Sequence, residues 1–104
     1  LRVPQDARDG AVVRALVEAL APHGIELDAG PSRGGVDIGP LRQLGVPFVD
    51  LRQDATRYFD VHHTQNDVFE NVSRGDVERC TLAFAFTTWL LAEAEERLPA
   101  GATR

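Results

Sequence analysis

The chain has 104 residues, is 43% hydrophobic and 26% charged, and carries a net charge of -5. It can hold one modest core, and its composition is not that of a disordered tail. The basic residues, all arginine, form no stripe or aromatic-interleaved patch, which excludes a nucleic-acid partner; the single cysteine, Cys80, excludes a disulfide framework and a cysteine-built zinc cluster, so any metal must be held by His, Asp or Glu.

From Asp9 onward, Val12, Val13, Leu16, Val17 and Leu20 recur at the spacing of one apolar stripe on a helix, which Pro22 and Gly24 then stop. Ile25-Glu26-Leu27 reads as a short strand, followed by a turn-rich loop from Asp28 to Gly35. Asp37 can cap a short helix that runs to Leu44, and Val46 to Leu51 reads as a second strand with Pro47 near its start. A long loop from about Gln53 to Val72 follows, and loops of that length are more often functional than accidental.

Ser73, with Asp76 three residues on, is a helix start signal, and the helix it opens runs to about Leu98. Its apolar residues between Leu82 and Leu91 fall on nearly all faces, the pattern of a helix packed between a sheet and other elements. The same stretch, continued to Ala92, is too short to span a bilayer. The rhythm of helix, strand, helix, strand, long loop and helix predicts an α/β sheet with helices on its faces. Two strands do not make a stable sheet, so the others must come from an upstream part of the protein or from another chain. Residues 1–104 thus read as one fragment with its core at about 9–98 and frayed ends at Leu1 to Gln5 and Pro99 to Arg104.

The loop contains Tyr58-Phe59-Asp60-Val61-His62-His63-Thr64-Gln65-Asn66-Asp67, a run that gathers imidazoles, carboxylates and hydroxyls between two apolar segments. Neutral imidazole is a good zinc ligand, and carboxylates beside it can fix its tautomer. The bland readings are a surface histidine at 63, a histidine packed on Tyr58 at 62, turn-forming aspartates at 60 and 67, and aromatic rings that pin the loop. His23, at a helix end, reads as a surface residue.

The run resembles the last ligand segment of the M28 zinc aminopeptidases, a Tyr-Phe-x-x-His-His-Thr-x-x-Asp pattern. The resemblance extends to Gly34-Gly35-Val36-Asp37-Ile38-Gly39-Pro40-Leu41 and Gly45-Val46-Pro47, and on into the final helix. It implies the C-terminal portion of a three-layer αβα sandwich of the zinc-peptidase and phosphorylase-hydrolase kind, in the subgroup resembling plasma glutamate carboxypeptidase.

By the resemblance, His63 is a metal ligand, with Asp67, Asp37, Asp60, His62, Tyr58 and Thr64 in its surroundings or the substrate pocket. Two zinc ions, a peptide substrate cleaved at its N-terminal residue, and a secreted or periplasmic compartment are likewise implied. The other ligands and the general base lie upstream, and no acid in this chain, Glu70 and Glu78 included, matches the base motif. The family usually has Thr where this chain has Val68, so one hydroxyl contact is lost. Two other functions share the resemblance, a glutaminyl-cyclase-like acyltransferase and a non-catalytic binding domain.

Overall fold

The computed structural model describes residues 1–99. Helix α1 (Ala11–Leu20) is the centre of the core and forms where its apolar spacing predicts. Val12, Val13, Leu16 and Leu20 face inward against Leu1, Val3 and Ala7, and Leu16 and Leu20 are fully buried. Burial of a leucine side chain contributes about 1.5–3 kcal/mol relative to exposure. The helix tightens into a 3-10 turn, Ala21–His23, and Gly24 (φ 73°) closes it in the left-handed conformation that glycine adopts without a Cβ clash.

No strand is present among the described residues, and the expected α/β sandwich portion is not formed. What replaces it is a short extended seam. The Leu1 amine donates to the Glu26 carbonyl (2.8 Å), the amides of Asp28 and Ser32 donate to the carbonyls of Leu1 and Val3, and Arg2 and Asp50 exchange backbone hydrogen bonds of 2.8 and 2.9 Å in one isolated antiparallel bridge. Pro4, Pro31 and Pro47 flank these contacts, and proline has no amide to extend a ladder. Pairing therefore stops after one or two bonds. Leu1 and Val3, expected to fray, are buried in the core; the expected fraying of residues 100–104 lies outside the described residues.

The side chains of the seam hold the following loop. Arg2 Nε lies 3.0 Å from Asp28 Oδ2, and the Asp50 carboxylate accepts the amides of Arg33 (2.7 Å) and Gly34 (3.0 Å). The Gly30 amide, with Arg2 behind it, holds the Asp28 carboxyl below its usual range. Gly34 (φ 70°) takes a left-handed conformation that other residues rarely adopt, and a Cβ there would lie 2.6 Å from Ile38 Cδ1, which would have to shift. Past it, a 3-10 turn (Val36–Ile38) leads into the short α2 (Gly39–Gln43). Asp37 sits within that turn, and neither the turn nor α2 has a side-chain cap, so the expected capping role is not seen.

The long connection is not irregular throughout: it contains one turn of helix, α3 (Tyr58–Val61), and a 3-10 turn, Phe69–Asn71. Helix α4 (Arg74–Glu93) then begins at Ser73, whose hydroxyl accepts the Asp76 amide at 3.3 Å, as its sequence signal predicts. It ends at Glu93, short of Leu98, where Glu93, Glu95 and Glu96 put negative charge at the negative pole of the helix. Along α4, Leu90 and Leu91 pack on the core with Ala94 and Leu98 beyond the helix, and Ala83 and Thr87 are buried. Phe84, Phe86 and Trp89 remain 56%, 42% and 66% exposed, so the packing expected on nearly every face is absent here.

Candidate functional site

The motif run is built from three consecutive turns. Asp54 accepts the amide and hydroxyl of Thr56, which hold its carboxyl below the usual range, hydroxyl first, and the chain enters α3 as the Tyr58 amide reaches the Ala55 carbonyl. The single helical turn puts Tyr58 and His62, four residues apart, on one face. Their rings stack with centroids 4.2 Å apart, and Tyr58 Oη lies 3.0 Å from His62 Nε2. Phe59 packs edge-on against Tyr58 with its own ring 81% exposed, so the aromatic pair does not pin the loop to the core.

The second turn presents His63. His62 has φ -58° and ψ 123°, His63 has φ 57°, and the Thr64 amide donates to the Val61 carbonyl at 3.0 Å. These are the marks of a type II β-turn, whose third position requires positive φ and ordinarily takes glycine or asparagine. Histidine there costs roughly 1–2 kcal/mol, and among the described residues His63 is alone in being a non-glycine with positive φ. Backbone strain of this kind concentrates at functional sites. The His63 side chain is exposed, and its ring lies 3.8 Å from that of His62, tilted by 47°.

Thr64 closes the third turn. Its hydroxyl donates to the Val61 carbonyl (2.8 Å) and accepts the Asn66 amide (3.1 Å), while the Asp67 amide reaches the Thr64 carbonyl (3.2 Å). The Thr64 side chain is thus spent on shaping the turn that carries His63. Asp60 pairs with Arg57 at 3.8 Å, and none of Asp60, Asp67 and Asp37 hydrogen-bonds the His63 ring among the described residues. The fold brings Tyr58, His62, His63 and Thr64 together and leaves the three aspartates out of that cluster.

Three further contacts support the run. Asp54 and Thr56 form an Asx turn that launches α3, legible as Asp-x-Thr. Asn71 donates its side-chain amide to the Asn66 carbonyl at 2.7 Å, tying the motif to the turn before α4. Gln53 Nε2 lies 3.0 Å from Cys80 Sγ and pins the start of the connection to α4, a contact no local pattern announces. Between α3 and the start of α4 lies an open cavity of about 740 Å³, bordered by Arg57, Asp60, Val61, Asn66, Glu70 and Asp76. Arg79, and then Ser73, hold the Asp76 carboxyl below its usual range.

As a metal donor, His63 fits as one ligand: an exposed imidazole, raised on a strained turn, with no hydrogen bond to its ring among the described residues. A catalytic zinc takes three protein ligands, and no group of three His, Cys, Asp or Glu that could hold a metal exists among the described residues. This chain supplies at most part of such a centre.

The chain is similar to a segment of carboxypeptidase Q. It is 28% identical to the Rattus norvegicus protein over 89 residues, 86% of this chain and 19% of the relative. Over 65 residues it is 32% identical to the Xenopus laevis protein and 31% to that of Mus musculus, in each case 62% of this chain and 14% of the relative. The chain therefore spans a fifth or less of the length of these carboxypeptidase Q relatives. An 89-residue match leaves only 15 residues to divide between the two ends, so residues 16–89, the whole Tyr58 to Asp67 run included, lie inside it. No family model and no solved structure matches the chain. No helix among the described residues is long and apolar enough to cross a membrane.

Proposed function

We propose that this chain is a segment of a zinc-dependent metallopeptidase, in which it supplies His63 as a metal ligand. The observation that carries the reading is the presentation of His63: an exposed imidazole held at positive φ by a turn that Thr64 closes from both sides. Similarity to carboxypeptidase Q across the same residues supports it, as does the resemblance of the run to the M28 pattern.

In this reading the intact protein holds two zinc ions and removes the N-terminal residue of a peptide, outside the cytoplasm. A pair of metals of this kind polarises a carbonyl and lowers the pKa of water. The remaining ligands and the general base come from outside this chain. The same surrounding protein covers Phe84, Phe86 and Trp89, whose exposure exceeds what a finished surface ordinarily carries. Tyr58 and His62 border the site, and Asp67, Asp60 and Asp37 approach it only if the rest of the protein draws them in.

The test is zinc content of the full-length protein, with hydrolysis of aminoacyl amides and of peptides blocked at the amino end, in wild type and His63→Ala. Two zinc ions, aminopeptidase activity and loss of both in the variant are expected. Cleavage of only the blocked peptides would keep the peptidase and reverse the end it attacks, toward the activity in the relatives' name. A metal-free, inactive protein would move the segment to the binding class.

A further inference from the structure

Two imidazoles stand side by side at the tip of this site, and a metal that needs one nitrogen faces a choice between them. The fold treats them differently. His62 is half-buried, stacked on Tyr58 at 4.2 Å, and its Nε2 lies 3.0 Å from the Tyr58 hydroxyl. That hydroxyl can donate to a bare Nε2 or accept from a protonated one, so Nε2 is engaged in either tautomer. His63 is exposed and its ring carries no such partner among the described residues.

We propose that Tyr58 is a positioning residue that withholds the Nε2 of His62 from the metal shell, so that of the two adjacent imidazoles His63, whose ring nitrogens have no hydrogen-bond partner among the described residues, is the one presented to a divalent cation. The inference rests on the reading of His63 as a ligand. It adds a selection device: the stack and hydrogen bond available at the i, i+4 spacing on α3 fix the His62 ring, while the His63 ring beside it is exposed and carries no hydrogen bond among the described residues. Without the hydroxyl, the His62 ring, only 3.8 Å from its neighbour, is free to compete for the same ion.

The experiment uses the full-length protein and Zn2+ as the probe, with affinity read by chelator competition and ring nitrogens read by NMR after selective 15N-histidine labelling. His63→Ala is expected to weaken zinc binding on the order of 10-fold or more. The double variant Tyr58→Phe/His63→Ala is expected to recover a large part of that loss, and addition of His62→Gln to abolish the recovery; effects of this size are those that partners of ligating residues exert. In the wild type, zinc is expected to shift the ring nitrogens of His63 and leave His62 Nε2 at its hydrogen-bonded position.

Loss of zinc in His63→Ala with no recovery in the double variant would overturn the role of Tyr58 while leaving His63 a ligand. So would a wild-type spectrum in which zinc moves the His62 ring, a readout that stands even if a variant fails to fold. Undiminished zinc binding in His63→Ala would remove the ligand reading itself, and the selection device with it.

Discussion

Helices α1 and α4 are both rich in apolar residues, yet one is finished by its own chain and the other is not. The apolar stripe of α1 is covered by Leu1, Val3 and Ala7 and by one side of α4. Helix α4 is twice as long, 20 residues against 10, and buries only Ala83 and Thr87 fully. Its Phe84 and Trp89 remain more than half exposed, and Phe86 meets only the His23 ring at its side, with centroids 5.8 Å apart. An amphipathic pattern describes a helix that meets its environment on one side; an all-round apolar pattern describes a helix that needs neighbours the local chain does not provide.

The sharpest way to break this comparison is to truncate each helix in turn. Leu16→Ala is expected to cost about 2–5 kcal/mol in denaturant titration, because it leaves a cavity in a closed core, whereas Trp89→Ala should change the stability of this chain by less than about 0.5 kcal/mol. Equal losses would mean that α4 is covered as α1 is.

The backbone offers a parallel contrast, between a left-handed residue of the loop after the seam and one of the site. Gly34→Ala adds a Cβ at φ 70° that meets Ile38, and a loss of about 1–3 kcal/mol is expected by thermal denaturation. His63→Gly should act in the opposite direction and raise stability by about 1 kcal/mol, since the turn already holds the conformation glycine prefers, while zinc binding of the full-length protein is lost. A destabilising His63→Gly would show that the turn is not strained.

Ser73→Ala removes the cap of α4 and is expected to cost about 1 kcal/mol by the same measurement. The smallest effect belongs to the seam. The Gly30 amide and Arg2 depress the Asp28 carboxyl below its ordinary 3.8, so its contribution is fully present above pH 3.8 and is lost as pH falls through the lower, folded-state value. Asp28→Asn should flatten the acid limb of a pH titration of stability in that window and leave the neutral range level with its own plateau.

Helix α1 was legible because everything its stripe requires lies within reach of the sequence pattern, and Ser73 was legible because capping is local. The strands were not. Ile25 to Leu27 and Val46 to Leu51 have the composition of strands, but pairing is a property of partners, and Pro4, Pro31 and Pro47 withhold the donors that would extend it. At the site, the pairing of Tyr58 with His62 follows from a four-residue spacing once α3 exists, but the type II turn at His63 defies the usual residue choice and could not be read from it. The aspartates at 37, 60 and 67 were grouped with His63 by the motif; the fold commits Asp60 to Arg57 and leaves the other two outside the cluster.

The extended seam also sets an order of events during folding. Its single bridge joins residue 2 to residue 50, and its other hydrogen bonds join residues 1 and 3 to residues 26, 28 and 32, so it can close only after long stretches of chain have been gathered. Helix α1 forms from neighbours in sequence, on a far shorter timescale. Leu1 and Val3 thus dock after the helix has formed, over a stripe that they help to close.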